Sequence, residues 1–178
     1  MTYLSETSKY RHLTEKYCYR EDGKPGCGID IASQGDPVVP WALSFDLSHY
    51  EFGIYNCSQP PKGIIHLRGR AEHLPFEPDV FDFVYSSHLL EDFLDWEPPL
   101  REWSRCVRPG GYLVILMPDR DLWAAAIAKG QPPNCSHRHE AKPGEMSEVA
   151  TRIGLTVVED RLTNCFDGDY SILGVFRK

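Results

Sequence analysis

The sequence predicts an α/β domain built on a mostly parallel sheet, and three observations predict it. Residues 81–87, FDFVYSS, form a short aromatic and β-branched run ending in polar residues, the pattern of a strand. Leu100, Trp103 and Val107 then recur at helical spacing. Pro98 and Pro99 precede them, where a missing N–H costs a first helical turn nothing. Finally, GYLVILM at 111–117 is a continuous apolar run, as expected of a strand covered on both faces. Pro109-Gly110-Gly111 stops the helix and turns the chain into it. Strand, helix and buried strand make one right-handed βαβ unit. Ligands of such sheets bind beyond the carboxyl ends of the strands. That edge holds Ser86, Ser87 and His88 after one strand and Pro118 and Asp119 after the next.

The remaining elements follow in order. Tyr10, Leu13 and Tyr17 form an apolar stripe on a helix near Leu4 to Tyr19, within an N-terminal segment at 1–22. GKPG at 23–26 is a turn. CGIDIAS at 27–33 and WALSFDLS at 41–48 read as strands, and GIIHLRG at 63–69 as another, after a loop at 58–63. RDLWAAAIAKG at 120–130 has an Ala-rich centre and a Gly stop, a good helix. Residues 131–144 are polar and Pro-containing, hence a loop. MSEVATRIG is a helix ending at Gly154, and 155–162 and 170–178 are the last strands. Asp167-Gly168 between them predicts an antiparallel hairpin.

The 178 residues suit one domain, since domains take ~100–200 residues. The net charge of −7 argues against a general grip on nucleic acid, which needs a basic face. No apolar run is long enough to span a membrane, and the polar N-terminus lacks a signal-peptide core, so a cytoplasmic location is expected. Cysteines 18, 27, 57, 106, 135 and 165 are scattered with no C-x-x-C pair, which predicts free thiols.

GRAEHLPFEPDVFDFVYSSHLLED at 69–92, followed by LREWSRCVRPGGYLVILMPD at 100–119, resembles the central part of class I S-adenosylmethionine-dependent methyltransferases. The resemblance covers residues 26–119 well. It implies a Rossmann-like three-layer sandwich with a seven-stranded, mostly parallel sheet and one antiparallel edge strand. It also implies S-adenosylmethionine as cofactor. Asp30 matches the acidic end of the family's first strand, but Ala32, Gln34 and Asp36 stand where its three loop glycines would be, and only Gly35 is present, one place off. Such glycines let backbone approach the cofactor. Asp30 and Asp46 are too close for the usual intervening helix, and Pro37 and Pro40 would each cost a helix interior ~3 kcal/mol. A helix cut to one turn or absent is therefore expected. Asp46 ends the second strand, where a carboxylate accepts both ribose hydroxyls; as an alternative it caps the turn before His49 and Tyr50. Arg70 replaces the family's adenine-binding Asp. It carries donors only, so it would stack on adenine or pair with Glu72. The cofactor residues implied are thus Asp30, Ala32, Ser33, Gln34, Gly35, Asp46, Leu47, Arg70, Ala71, Glu72, Ser86 and Ser87.

Methyl transfer from a sulfonium is an in-line displacement, and a base is needed only for an acceptor that must lose a proton. His88 is the candidate base, because its pKa class suits neutral pH. Glu91, Asp92, Asp119, His137 and His139 are further candidates, the two adjacent acids reading as solvated. His137-x-His139-Glu140, with Cys135 or Asp119, is a weak metal pattern without a third ligand of matching spacing, so no metal is expected. The expected acceptor is a small or sugar-like molecule, in a pocket that is shallow or completed by a second copy in a homo-oligomer. The alternative is an inactive relative serving as a binding or assembly module. A nicotinamide-binding oxidoreductase is disfavoured, since G-x-G-x-x-G does not follow the first strand.

Overall fold

The computed structural model describes residues 6–47 and 62–178. Among them, seven strands form one sheet: β1 (Gly28–Ile31), β2 (Leu43–Asp46), β3 (Leu67–Arg68), β4 (Phe81–Ser87), β5 (Val107–Pro118), β6 (Thr156–Leu162) and β7 (Ser171–Arg177). The order is β3-β2-β1-β4-β5-β7-β6. The first five strands pair in parallel, and β7 runs antiparallel to both β5 and β6. The expected Rossmann-like α/β sandwich with one antiparallel strand is present, and that strand lies one place in from the edge, with β6 outside it. Among the described residues, four α-helices accompany the sheet: α1 (Glu6–Thr14), α2 (Glu97–Cys106), α3 (Arg120–Ala128) and α4 (Glu145–Arg152).

Side chains alternate across the strands, which divides the core in two. Leu113, Ile115 and Met117 of β5 face one side, with Leu100, Trp103 and Cys106 of α2 and Met146 and Ala150 of α4. Val114 and Leu116 face the other, with Tyr10 of α1, Cys18, and Val38, Val39 and Ala42. Three layers result. The sheet's covered faces explain why β5 reads as a continuous apolar run at 111–117.

Several boundaries differ from expectation. The N-terminal helix divides into α1 and a 3-10 turn at Glu15–Cys18, while Leu4 lies outside the described residues. The third strand shrinks to Leu67–Arg68, both exposed, because it lies at the sheet edge. Ser48, Cys57 and residues 58–61 of the expected loop also fall outside the described residues. The Arg-Pro-Gly-Gly turn does not precede β5 but is absorbed into it: Phe81 pairs with Val107 and Phe83 with Tyr112, so three extra residues bulge from the strand. The other cysteines are free thiols.

Residues 32–42 contain no helix, as the two prolines foretold. Val38, Val39 and Ala42 fill the face instead. Asp30 pins this shortcut, its buried Oδ2 accepting from the Val38 N–H at 2.7 Å. From α1, Arg11 donates to the Asp36 carboxylate and to the Pro37 and Val38 carbonyls at 2.8–3.0 Å. Burial pushes the Asp30 carboxyl well above the usual carboxylate range, and the charges of Asp46 and Asp36 add to it.

On the other face, α2 clamps residues 71–76. Trp103 Nε1 donates to the Ala71 carbonyl at 2.9 Å, Glu102 accepts from the Leu74 N–H at 2.8 Å, and Arg105 donates to the Phe76 carbonyl at 2.8 Å. Glu102, Trp103 and Arg105 of this helix are therefore loop holders, whereas Arg101 pairs with Glu97 on its own helix. Replacing Trp103 by Phe removes the donor and leaves the Ala71 carbonyl unpaired, so urea denaturation should show a loss of about 1–3 kcal/mol. Asp30 makes a pH-dependent contribution. A raised folded value favours the folded state below the unfolded carboxyl value of ~3.9, and this is lost as pH rises through the folded value. Asp30→Asn keeps an acceptor for Val38 without the charge. Its stability relative to the parent protein should increase as pH is raised, and a pH-independent difference would refute the assignment.

Candidate active site

The carboxyl ends of β1, β2, β3 and β4 meet at a cleft of about 350 Å³. Each strand delivers the residues just after it: Ala32–Gln34 from β1, Leu47 from β2, Gly69–Glu72 from β3, and His88 and Leu89 from β4. Asn134 and Ser136 of the 131–144 loop and Thr7 of α1 close the sides. The loop thus overhangs the strand ends. It is tied down by a bond from the Arg138 N–H to the Glu91 carbonyl at 2.8 Å and by the Asp119–Ala141 bridge.

The loop after β1 carries three residues in left-handed backbone. Ala32 has φ 62°, Gln34 φ 51° and Gly35 φ 78°. Left-handed backbone costs an L-residue about 1–2 kcal/mol. Surrounding bonds hold it there: the Ala32 N–H donates to Phe45 O at 2.9 Å, the Lys62 N–H to Gln34 O at 2.7 Å, and the Ser33 and Ser44 hydroxyls meet at 2.5 Å. Gly35 is needed for packing. A Cβ there would lie 2.5 Å from the Gly63 backbone. Gln34 walls the cleft and leaves it open.

Asp46 lines the cleft at the end of β2, almost fully buried. Its Oδ2 accepts from the Gln34 N–H and its Oδ1 from the Leu47 N–H, each at 2.8 Å. It therefore ties the β1 loop to the end of β2, and each oxygen keeps lone-pair capacity for a further donor. Burial pushes its carboxyl up, opposed by those two N–H groups and by Arg68. Arg70 pairs with Glu72 at 3.0 Å on the cleft wall. Ala71 is buried there, held by Trp103.

Of the twelve residues expected to hold cofactor, Ala32, Ser33, Gln34, Asp46, Leu47, Arg70, Ala71, Glu72 and Ser87 line the cleft. Asp30, Gly35 and Ser86 do not. Asp30 lies beneath the loop on Val38, Gly35 packs on Gly63, and the Ser86 hydroxyl donates to the Ile31 carbonyl at 3.2 Å. The chemistry candidates separate in the same way. Asp119 is the N-cap of α3, accepting from the Asp121 and Leu122 N–H groups. The His139 ring lies tilted against Trp96, centroids 4.7 Å apart. His88 lines the cleft, but its Nε2 meets the Ser171 hydroxyl at 3.0 Å and its Nδ1 lies 3.5 Å from Glu91.

The reading of Glu91 and Asp92 as solvated acids is overturned. Glu91 is fully buried, and Asp92 forms part of the cleft wall. Burial first, and then the charge of Glu91, push the Asp92 carboxyl up to about 6. A short 3-10 turn at Leu90–Asp92 directs Leu90 and Glu91 inward, and the sequence gives little sign of so brief an element. Phe93 and Leu89, also unforeseen, add apolar wall. Among the described residues no group of His, Cys, Asp and Glu is disposed to hold a metal ion, and no helix is long and apolar enough to cross a membrane.

The strained loop gives a direct test. Ala32→Gly removes the ~1–2 kcal/mol left-handed cost and adds about 0.4–1 kcal/mol of unfolded-state freedom. The variant should be more stable by up to about 1 kcal/mol in thermal or chemical denaturation, whereas destabilisation would mean that the Ala32 side chain contributes packing.

Comparison with known proteins agrees with this architecture. Residues 26–115 match the model of a methyltransferase-domain family. The demethylmenaquinone methyltransferase of Mycobacterium marinum is 34% identical over 87 residues, 49% of this chain and 34% of that protein. The chain spans between about a third and just over half the length of the first curated relatives it matches. A SAM-dependent methyltransferase from Thermotoga maritima superposes with a TM-score of 0.66 at 20% identity, covering 94% of this chain and 88% of that one. The 1,6-didemethyltoxoflavin-N1-methyltransferase of Burkholderia thailandensis, with 1,6-didemethyltoxoflavin and S-adenosylhomocysteine bound, does so at 0.66 and 13% identity, over 98% of this chain and 78% of that one. Strand order, cleft position and the family match over half the sequence lead to one conclusion: the chain belongs to the class I S-adenosylmethionine-dependent methyltransferases.

Proposed function

We propose that this protein transfers a methyl group from S-adenosylmethionine to a small-molecule acceptor. One observation carries the proposal: four parallel strands end at one open cleft, and a left-handed backbone loop and a buried carboxylate form its wall. These residues fit the cofactor. Asp46 would accept from the ribose hydroxyls with its remaining lone pairs. The Ala32–Gln34 backbone would run along the methionine part, with Ser87 beside it. Arg70, Ala71 and Glu72 would border the adenine, and Leu47 would cover the sugar. Asp30, Gly35 and Ser86 would act beneath, by holding the loop in shape.

When bound, the cofactor supplies an electrophilic methyl group on a sulfonium. The chain's own work is to align the acceptor and exclude water. Leu89 and Phe93 give the acceptor end an apolar wall, and Asn134 and Ser136 offer polar contacts from the overhanging loop. If the acceptor is a hydroxyl or an ammonium, a proton must leave. Asp92 is the group best suited to take it, since burial and Glu91 bring its carboxyl up to about 6, near the working pH. The same wall would accommodate a sugar-like hydroxyl.

Calorimetry with S-adenosylmethionine tests this reading. The parent protein should bind, and Asp46→Ala should bind more weakly by at least ~1 kcal/mol, about fivefold, through loss of charge-assisted hydrogen bonds. Circular dichroism of the variant would exclude unfolding. No binding heat at high protein concentration would favour a catalytically silent binding module.

A further inference from the structure

Beneath the acceptor end of the cleft, three ionisable side chains meet at one atom. Glu91 is fully buried, and neither of its carboxylate oxygens has a formed hydrogen bond. Its Oε1 lies 3.5 Å from His88 Nδ1 and 3.5 Å from His137 Nε2. A buried, unpaired carboxylate is costly unless a neighbour carries compensating charge.

The surrounding hydrogen bonds fix where protons sit on both rings. Asp169 accepts from the Tyr10 hydroxyl at 2.7 Å. Burial pushes the Asp169 carboxyl up, but donors from Cys165, Thr163, Tyr10 and Ser171 outweigh that and hold it below its ordinary value, so it accepts as a carboxylate. The Tyr10 proton is thereby committed, and the Tyr10 oxygen accepts from the Ser171 hydroxyl at 2.8 Å. The Ser171 proton is committed in turn. The Ser171 oxygen can then only accept from His88 Nε2, 3.0 Å away, so Nε2 carries a hydrogen. On the far side, His137 Nδ1 meets the Glu140 carboxylate at 3.1 Å and must donate to it. Were both rings neutral, each would turn a bare nitrogen lone pair toward the Glu91 carboxylate. Two lone pairs and a buried anion would face one another with no proton among them.

We propose that His88, Glu91 and His137 form a buried proton-binding site, in which Glu91 holds His88 as an imidazolium at the acceptor end of the cleft. One added proton converts the repulsive arrangement into an ion pair, His88 Nδ1–H to Glu91. The backbone enforces the geometry. His88 is at φ 53°, a strained conformation, with its N–H donating to the Leu116 carbonyl at 2.8 Å. From the overhanging loop, the Arg138 N–H donates to the Glu91 carbonyl, so the residue that pairs with the imidazolium also anchors the loop.

Other groups face the site. Asp92 adjoins Glu91, and Arg138 and His137 act on Asp92 from the loop. The Tyr10 ring stacks on His88 and the Tyr170 ring meets it edge-on, while Trp123 covers His137. His139 lies on Trp96, turned to that ring. An imidazolium cannot accept a further proton. His88 therefore gives the cleft a fixed positive charge, and Glu91 is a positioning residue acting through it.

The test is long-range proton–nitrogen NMR on protein carrying nitrogen-labelled histidine, with ring signals assigned by His88→Gln and His137→Gln variants. At about pH 7.5 a free imidazole is protonated in about a tenth of molecules, and His88 should be protonated in more than about half. His137 should carry its Nδ1 hydrogen. In Glu91→Gln, His88 should revert to a neutral ring with hydrogen on Nε2. A neutral His88 in the parent protein at that pH, or a ring unchanged by Glu91→Gln, would overturn the proposal. If Glu91→Gln fails to fold, the parent spectrum alone decides. The readout needs no cofactor or acceptor, so its outcome is separate from whether S-adenosylmethionine binds.

Discussion

The connection from Ile31 to Leu43 is the constraint on which the site depends. Eleven residues must cross one face of the sheet without a helix and still offer backbone to the cleft. A buried carboxylate makes this possible. Asp30 takes the Val38 N–H, and Val38 and Val39 then supply the apolar cover a helix would have supplied. Asp46 takes the Gln34 N–H from the other strand. Between these two acids the loop has little freedom, and the left-handed conformations at Ala32 and Gln34 persist because several bonds over-determine them. Charge burial and backbone strain are both unfavourable alone. Here they are coupled, and the product is a rigid wall.

The opposite wall is built by a different device. Helix α2 carries Glu102, Trp103 and Arg105 on the side facing residues 71–76, and these satisfy backbone groups that a buried loop would otherwise leave unpaired. The loop is thereby as firmly placed as a strand end. The part of the cleft after β4 differs again: it is rich in ionisable groups rather than backbone. Glu91, Asp92 and His88 lie close to His137 of the 131–144 segment, and the charge of Glu91 helps to raise the Asp92 carboxyl. One wall of this cleft is fixed by geometry and the other by electrostatics.

What could be read from the chain follows from the range of the forces involved. The strands at 81–87 and 111–117 and the helix between them were legible because each is coded by local pattern: apolar runs, helical spacing and Pro at the first turn. The missing helix was legible from Pro37 and Pro40, since proline acts on its own backbone. Asp46, Ala71 and the loop after β1 were placed on the cleft because residues at strand ends share one edge of a parallel sheet. Asp30, Gly35 and Ser86 belong to the same motif by position, yet their contacts run to Val38, Gly63 and Ile31, and sequence spacing alone does not specify those.

The sequence by itself determined the α/β class, the βαβ unit, the edge on which a ligand would sit and the loss of the first crossover helix. Each is set by propensity or periodicity over a few neighbouring residues. The tertiary structure alone decided that β7 enters the sheet inside β6, that Glu91 is buried rather than solvated, and that His88 turns its nitrogens toward Ser171 and Glu91 rather than into the open cleft. Those outcomes depend on partners brought together from distant parts of the chain. Burial and hydrogen-bond direction are properties of the assembled surroundings, and no local pattern encodes them.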